Sequence, residues 1–477
     1  METYQQFING ALVDSHSADW IDVENPYTNE VIARAPKGDD EDANRAVEAA
    51  KAAQPAWAKQ APVSRGAYLK KFAELIRANR VELARTLASE QAKILPLAQV
   101  EIDVTAEYFD YYAGWARIYE GEIINSDDPR ENILLFQKPV GVVAGICPWN
   151  FPFFVMARKV APSLLAGCTT ILKPSSNTPA TTFEFARLVA TLDLPGGVLN
   201  FVSGAGSSLG RTLVQHPDVD MVSLTGSVEA GQQILRDAAD KVMKTSLELG
   251  GKAPAIVFGD ADLALAVKAV TDSRLIYSGQ VCNCAERVYV HASIYDEFVA
   301  KLKAAFEAAA IGDPFSDPAP AYSSQIDAAQ LEKIDAMVQR AVAAGAEIVT
   351  GGKRADKGTG YFYEPTLIAG ATQDSEIVQK EVFGPVLPIL KWDDYDQVIA
   401  DANNVEYGLT SSVFTTSVNT VMQSIKDLNF GETYVNREHF EGIQGFHAGW
   451  RKSGIGGADG KHGLHEYLAS QVVYIRY

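Results

Sequence analysis

Cysteine is scarce: Cys147, Cys168, Cys282 and Cys284 are the only four in 477 residues. No spacing among them suggests a disulfide framework, so a reducing, cytoplasmic setting is expected. Cys282-Asn283-Cys284 is too tight for the usual metal-ligand pairs, and the seven histidines form no His-x-x-x-His array, so no metal site is expected. Positive charge is also short. Lys and Arg number 42 against 60 Asp and Glu, giving a net charge of −18 and a pI near 4.9. That balance argues against nucleic acid and anionic membrane as partners. Met1 to Gln6 lack a basic segment followed by an apolar one, so no signal peptide is expected. Only one long uncharged run exists, the nineteen residues from Pro139 to Ala157. Pro139, Pro148, Pro152 and Asn150 interrupt it, which predicts a buried strand followed by a helix and not a membrane span.

What remains is globular, with 47% hydrophobic and 21% charged residues. The chain is too long for one ordinary core and implies two or three domains. Phe7 to Val13 reads as a hairpin about Asn9-Gly10, and Asn25-Pro26 as a turn. Asp39 to Tyr119 is Ala-rich and helix-periodic, divided by Pro62 and Pro96 into three expected helices. Strand-like Val140–Ile146, Thr169–Lys173, Val198–Val202 and Asp220–Leu224 then alternate with helix-like Phe154–Leu165, Thr181–Leu192 and Ser207–Gln215. A second alternating series begins near Gly250, with strands at Ala253–Phe258, Val288–Val290, Glu347–Thr350, Val386–Leu390, Ser411–Phe414 and Thr433–Val435. Alternation of this kind predicts an α/β fold of doubly wound parallel sheets, the first of them nucleotide-binding.

Gly204 to Gly210 is one residue too long for the usual dinucleotide fingerprint. Thr225-Gly226-Ser227 is better placed, following a strand and opening the helix Ala230–Ala239. Free backbone N–H groups there can hold a pyrophosphate, although a plain capped helix would read the same way. The strand-like tail Gln471–Tyr477 would leave an exposed edge unless another chain covers it.

The chemistry centres on Ser278-Gly279-Gln280-Val281-Cys282-Asn283-Cys284-Ala285-Glu286-Arg287. It lies between a helix-period run and a strand, where a thiol can face a cleft. A cysteine so placed is a candidate nucleophile. Pro148-Trp149-Asn150-Phe151-Pro152 and Leu247-Glu248-Leu249-Gly250-Gly251-Lys252 precede it, and Glu381-Val382-Phe383-Gly384-Pro385-Val386 follows. These four stretches, in this order, resemble the aldehyde dehydrogenase superfamily, and the resemblance runs from about Asn9 to the C-terminus.

The resemblance implies a dinucleotide-binding domain over 1–120 and 140–249, a catalytic domain over 250–448, and a small β oligomerisation segment from 121–139 and 449–477. A homodimer or homotetramer follows from it. Catalysis would rest on Cys282 as nucleophile, Asn150 with the Cys282 N–H as oxyanion donors, and Glu248 as general base. A carboxylate at an apolar strand end should titrate high, as that work needs. Trp149, Lys173, Ser175, Ser176, Gly226, Ser227, Leu249, Glu381 and Phe383 would contact the dinucleotide.

Departures from the family pattern carry the finer expectations. Ser176 stands where NAD-preferring members usually have Glu. A carboxylate repels a 2′-phosphate and a hydroxyl can donate to one, so NADP is expected to be preferred, with NAD possible. Tyr322-Ser323-Ser324-Gln325-Ile326 also departs from the family, without a functional account. The polar run Asn436 to His447, with Asn283, is similar to the subgroup acting on lactaldehyde and glycolaldehyde. There Arg158, Asn283, Arg437, Glu441 and His447 would surround a small 2-hydroxyaldehyde. The alternatives are a semialdehyde dehydrogenase using Arg158 or Arg437, a non-catalytic nucleotide-binding relative, and an acylating enzyme that uses coenzyme A. Glu248 favours water as the acyl acceptor.

Overall fold

A computed structural model describes all 477 residues. Two large sheets dominate it. In the first, the parallel strands Lys244–Glu248, Met221–Thr225, Val142–Ile146, Thr169–Lys173 and Leu199–Phe201 lie side by side in that spatial order. Alternate residues of these strands enter opposite cores. Val143 and Leu172 pack with Phe72, Phe109, Phe153 and Phe185 on one face. Val142, Ala144 and Ile171 pack with Val47, Ala50 and Leu213 on the other. Burial on both faces explains why these strands read as continuous apolar runs instead of alternating ones. The uncharged stretch 139–157 resolves into the strand Val142–Ile146 and the helix Pro152–Ala166, and no helix is long and apolar enough to cross a membrane.

The second sheet runs Glu347–Thr350, Thr366–Ala369, Val386–Trp392, Ala285–His291, Ala253–Val257, Thr410–Phe414 and Glu432–Val435, parallel except at its first pair. Thr366–Ala369 escaped the sequence reading, being short and isolated between loops. The hairpin forms as expected, with Ile8 opposite Ala11 and positive φ at Asn9 (55°) and Gly10 (80°), the geometry a two-residue turn demands.

The segment 39–119 holds four long helices, not three: Asp40–Ala58, Pro62–Ala78, Arg80–Gln91 and Leu95–Gly114. The extra break falls at Asn79, whose φ is −114° and whose side-chain amide donates to the Leu75 carbonyl at 2.8 Å. Local side-chain bonding of this kind ends a helix without proline. A third, three-stranded sheet joins Glu122–Asn125, Glu131–Pro139 and Leu468–Arg476. Of residues 449–477 only that last strand belongs to it. Gly454–Ile455 pairs with Leu247 and Glu248 in the first sheet, and Gly460–Glu466 is helical.

Candidate active site

The helix Leu263–Leu275 ends just before the nucleophile loop, where Tyr277, Ser278 and Gly279 all take positive φ (46°, 58° and 73°). A Cβ at Gly279 would lie 2.2 Å from the Gly384 carbonyl oxygen, so only glycine allows this approach. Buried Arg274 donates to the carbonyls of Ala285 (2.9 Å) and Gly279. Glu286 anchors the arrangement. Its carboxylate receives Arg274 Nη1 (2.7 Å), Lys252 Nζ (2.6 Å), and the backbone N–H groups of Val382 (3.1 Å) and Phe383 (3.2 Å). One buried carboxylate therefore ties three of the four sequence stretches together, and its own two cationic partners neutralise it. The unexplained segment Tyr322–Ile326 proves to be the back wall of this loop. Ser278 Oγ donates to the Ser323 carbonyl (2.9 Å), and the Ile326 N–H donates to Gln280 Oε1 (3.0 Å).

The fourth stretch joins through Asn150, whose side-chain amide donates to the Gln280 carbonyl at 3.0 Å. An amide has two N–H donors, so one remains for a ligand beside Cys282. The Asn150 backbone carbonyl is fixed from behind by Gln91 Nε2 (2.9 Å) and Lys93 Nζ (2.8 Å). Lys93 is wholly buried against Glu101. Glu101 also accepts the N–H groups of Phe153 (3.0 Å) and Phe154 (3.2 Å) at the start of the helix Pro152–Ala166.

Cys282 is partly accessible, whereas Cys147, Cys168 and Cys284 are buried. Glu248 is buried at the end of its strand, and neither carboxylate oxygen has a hydrogen-bond partner. Burial pushes its carboxyl up to about 8, against the opposing pull of His447, Arg158 and Lys159. His447 Nε2 lies 3.6 Å from Glu248 Oε2, and its Nδ1 lies 2.6 Å from Glu432 Oε1.

A small cavity of about 70 Å³ opens onto Cys282, with Asn150, Arg158, Asn283, Glu441 and His447 in its wall. Phe151, Phe154 and Phe440 supply apolar surface there. Arg158 Nη2 donates to Glu441 Oε1 (2.6 Å) and its Nε to Asp459 Oδ1 (3.0 Å). Asn283 Nδ2 donates to Glu441 Oε2. Burial pushes the Glu441 carboxyl up, but Arg158 and then His447 outweigh it and hold it down at about 2. Arg437 is not part of this wall. Its guanidinium turns outward to the Phe440 carbonyl and Glu438, because a charge so near the surface is cheaper to leave hydrated.

A larger cleft of about 470 Å³ meets the cavity at Asn150 and Cys282. Its wall contains Trp149, Lys173, Ser175, Ser176, Gly226, Ser227, Leu249, Glu381 and Phe383. It lies at the carboxyl ends of the first sheet's strands, where sheet growth reverses between Val142–Ile146 and Met221–Thr225. That is where open α/β sheets bind ligands. The donor set fits a dinucleotide. Lys173 is buried, and its Nζ reaches only the Pro174 carbonyl at 3.2 Å, leaving donors free for ribose hydroxyls. Ser227 caps the eleven-residue helix Val228–Ala238, and a Cβ at Gly226 would meet nothing closer than 3.6 Å. An anion can approach that helix N-terminus closely. Trp149 and Phe383 meet edge to face at the cavity end, 5.4 Å between centroids.

The aldehyde dehydrogenase family model matches residues 12–473. The chain belongs to the aldehyde dehydrogenase family. It is 53% identical to the lactaldehyde dehydrogenase of Escherichia coli (strain K12) over 473 residues, covering 99% of this chain and 98% of that one. It is 37% identical to a D-glyceraldehyde dehydrogenase (NADP(+)) of Thermoplasma acidophilum (strain ATCC 25905 / DSM 1728 / JCM 9062 / NBRC 15155 / AMRC-C165), covering 99% and 96%. A crystal structure of lactaldehyde dehydrogenase from Escherichia coli superposes with a TM-score of 0.98 at 52% identity, with full coverage of both chains. The chain is thus an NAD(P)-dependent aldehyde dehydrogenase. Several charged groups of this aldehyde dehydrogenase's site eluded sequence reading: Lys93, Glu101, Arg274, Glu286, Glu432 and Asp459. Most of them have polar or glycine neighbours along the chain, so no local pattern marked them as parts of the site.

Proposed function

We propose that this enzyme oxidises a small 2-hydroxyaldehyde, lactaldehyde or glycolaldehyde, to the carboxylic acid through a thioester on Cys282, with NADP preferred over NAD. The observation that carries the substrate class is the buried Arg158–Glu441–Asn283 array facing Cys282 across a cavity of about 70 Å³. A cavity this small suits a two- or three-carbon substrate. Its ordered polar wall offers partners to a hydroxyl that a plain alkyl aldehyde would leave unmet. Relatives named for lactaldehyde and for D-glyceraldehyde, both 2-hydroxyaldehydes, support the same class.

In the proposed reaction the Cys282 thiolate attacks the aldehyde carbon. The free N–H of the Asn150 amide and the Cys282 backbone N–H hold the resulting oxyanion. Each such donor contributes about 3 kcal/mol to the transition state. A dinucleotide held in the cleft by Lys173, Gly226, Ser227 and Glu381 would supply the acceptor for the hydride that leaves the substrate carbon. Glu248, with both oxygens unpartnered, then takes a proton from the water that cleaves the thioester. A semialdehyde substrate is less well served. Arg158 already carries Glu441 and Asp459, and Arg437 lies outside the cavity. Steady-state assays test this directly: glycolaldehyde should exceed both acetaldehyde and succinic semialdehyde in kcat/KM by about a hundredfold or more. Equal use of acetaldehyde would contradict the assignment.

The cofactor preference rests on Ser176, since the walls beside it are Lys173, Ser175 and Asn177, with no carboxylate among them. Ser176→Glu should move the NADP-to-NAD ratio of kcat/KM toward NAD by about ten- to a hundredfold. A wild-type ratio already strongly in favour of NAD would overturn the preference. Assembly into a homo-oligomer rests on the three-stranded sheet. Its strand Leu468–Arg476 has one edge unpaired, and Ile123 (82% exposed), Phe136 (48%) and Tyr474 (66%) stand in solvent. Light scattering should find a dimer or tetramer, and Tyr474→Lys with Phe136→Lys should shift it toward monomer.

A further inference from the structure

His447 of the cavity wall and Glu432 behind it form a unit that the proposed steps do not use. His447 is 2% exposed, and its main chain is clamped in both directions to Ala458, N–H to O at 2.9 Å and O to N–H at 2.8 Å. The ring is therefore fixed. Nδ1 meets Glu432 Oε1 at 2.6 Å, and the other oxygen of Glu432 accepts the Tyr434 hydroxyl, which leaves that carboxylate no freedom to swing away. The opposite ring nitrogen lies 3.6 Å from Glu248 Oε2, and His447 and Cys282 line the same small cavity. A carboxylate from the strand Glu432–Val435 is thus paired with an imidazole from the loop before Ala458, and that imidazole lines the same cavity as the thiol of the nucleophile loop.

We propose that the imidazolium of His447 stabilises the Cys282 thiolate, with Glu432 as the positioning residue that keeps the imidazole charged and oriented, the pair as a whole being neutral. The proposal rests on Cys282 being the nucleophile. On ionisation the thiol proton passes to solvent water, the S–H bond breaks, and the thiolate accepts a hydrogen bond from His447. Glu248 thereby remains available for the water of thioester cleavage.

Every charged group around the ring has a definite effect. Burial opposes the imidazolium and so does Arg158, from the helix Pro152–Ala166. Glu432 outweighs them and, with the thiol of Cys282, holds His447 well above its ordinary range. Glu248, Glu441 and Asp459 face it from three further elements, and each in turn feels its positive charge. For Cys282 itself burial pushes the thiol up, and His447 is the first group to pull it back. Removing Glu432 should therefore leave the thiol harder to ionise.

The test needs no aldehyde. The rate of Cys282 alkylation by iodoacetamide is measured against pH in the full-length enzyme, with peptide mass spectrometry confirming the site. Glu432→Gln and His447→Gln should each move the midpoint of the profile to higher pH, slowing alkylation at pH 7 by about tenfold for one unit of displacement. A merely structural role for Glu432 would change the rate by the same factor at all pH values. Profiles of either variant that superimpose on wild type, or that differ only by a constant factor, overturn the proposal. Dinucleotide binding and thermal unfolding verify that each variant is folded, and the result for His447→Gln decides the matter by itself if Glu432→Gln does not fold. Loss of the nucleophile assignment would look different: turnover would survive in Cys282→Ala whatever the alkylation profiles show.

Discussion

Cys282→Ala abolishes aldehyde oxidation, lowering kcat by at least about four orders of magnitude, while dinucleotide binding stays within a few-fold of wild type. The split between the two readouts follows from the geometry. Cys282 sits where the small cavity meets the large cleft, and the groups suited to ribose and pyrophosphate, Lys173, Gly226 and Ser227, line the cleft wall with it. Cys284 cannot substitute. It is buried, burial pushes its thiol up to about 12, and its sulfur is held by the Val281 carbonyl at 2.9 Å. A thiol so placed is neither ionised near neutral pH nor open to an aldehyde. Isotopically resolved product analysis and steady-state rates check the loss of turnover. Fluorescence titration with NADP checks the retained binding.

Glu248→Gln has the second large effect, and its kinetic form is diagnostic. Acylation continues, so one equivalent of reduced cofactor appears rapidly, and the steady state then falls by about a hundredfold or more because no base takes the proton of water. Stopped-flow absorbance reads both phases. In wild type the cleavage step should rise with pH through about 8, the value to which burial lifts Glu248. The same displacement fixes the sign of its stability effect. The folded carboxyl titrates at about 8 against an ordinary 4.5, so the folded state binds the proton more tightly than the unfolded one. Its stabilising contribution is complete below 4.5 and disappears as pH rises through 8. Glutamine cannot titrate, so Glu248→Gln should gain stability relative to wild type as pH is raised, and Tm measured at pH 5 and pH 9 checks it.

The sequence disclosed most strands and helices of both sheets, though not Thr366–Ala369, because their apolar runs are long and their turns carry Gly, Pro or Asn. It disclosed less where local bonding replaces such punctuation, as at Asn79, where a side chain ends a helix by bonding its own backbone. Within the site, many residues that line the cavity and the cleft lie in short dense motifs and could be listed in advance, down to Leu249 and Phe383. Arg437 shows the limit of that approach. It stands in the same polar run as Glu441 and His447, but its side chain points to the surface. Pairs such as Lys93–Glu101, Arg274–Glu286 and Glu432–His447 were hidden for a different reason. They meet only because the fold brings separate elements together, and no spacing along the chain encodes a contact between position 93 and the Asn150 carbonyl.

The most direct measurement of the central claim is mass spectrometry of Glu248→Gln quenched during turnover of glycolaldehyde with NADP. The account predicts an acyl group, two hydrogens lighter than the simple aldehyde adduct, on the peptide carrying Cys282 and nowhere else. An enzyme that turns over without acquiring any adduct, or that carries it on another residue, would contradict it.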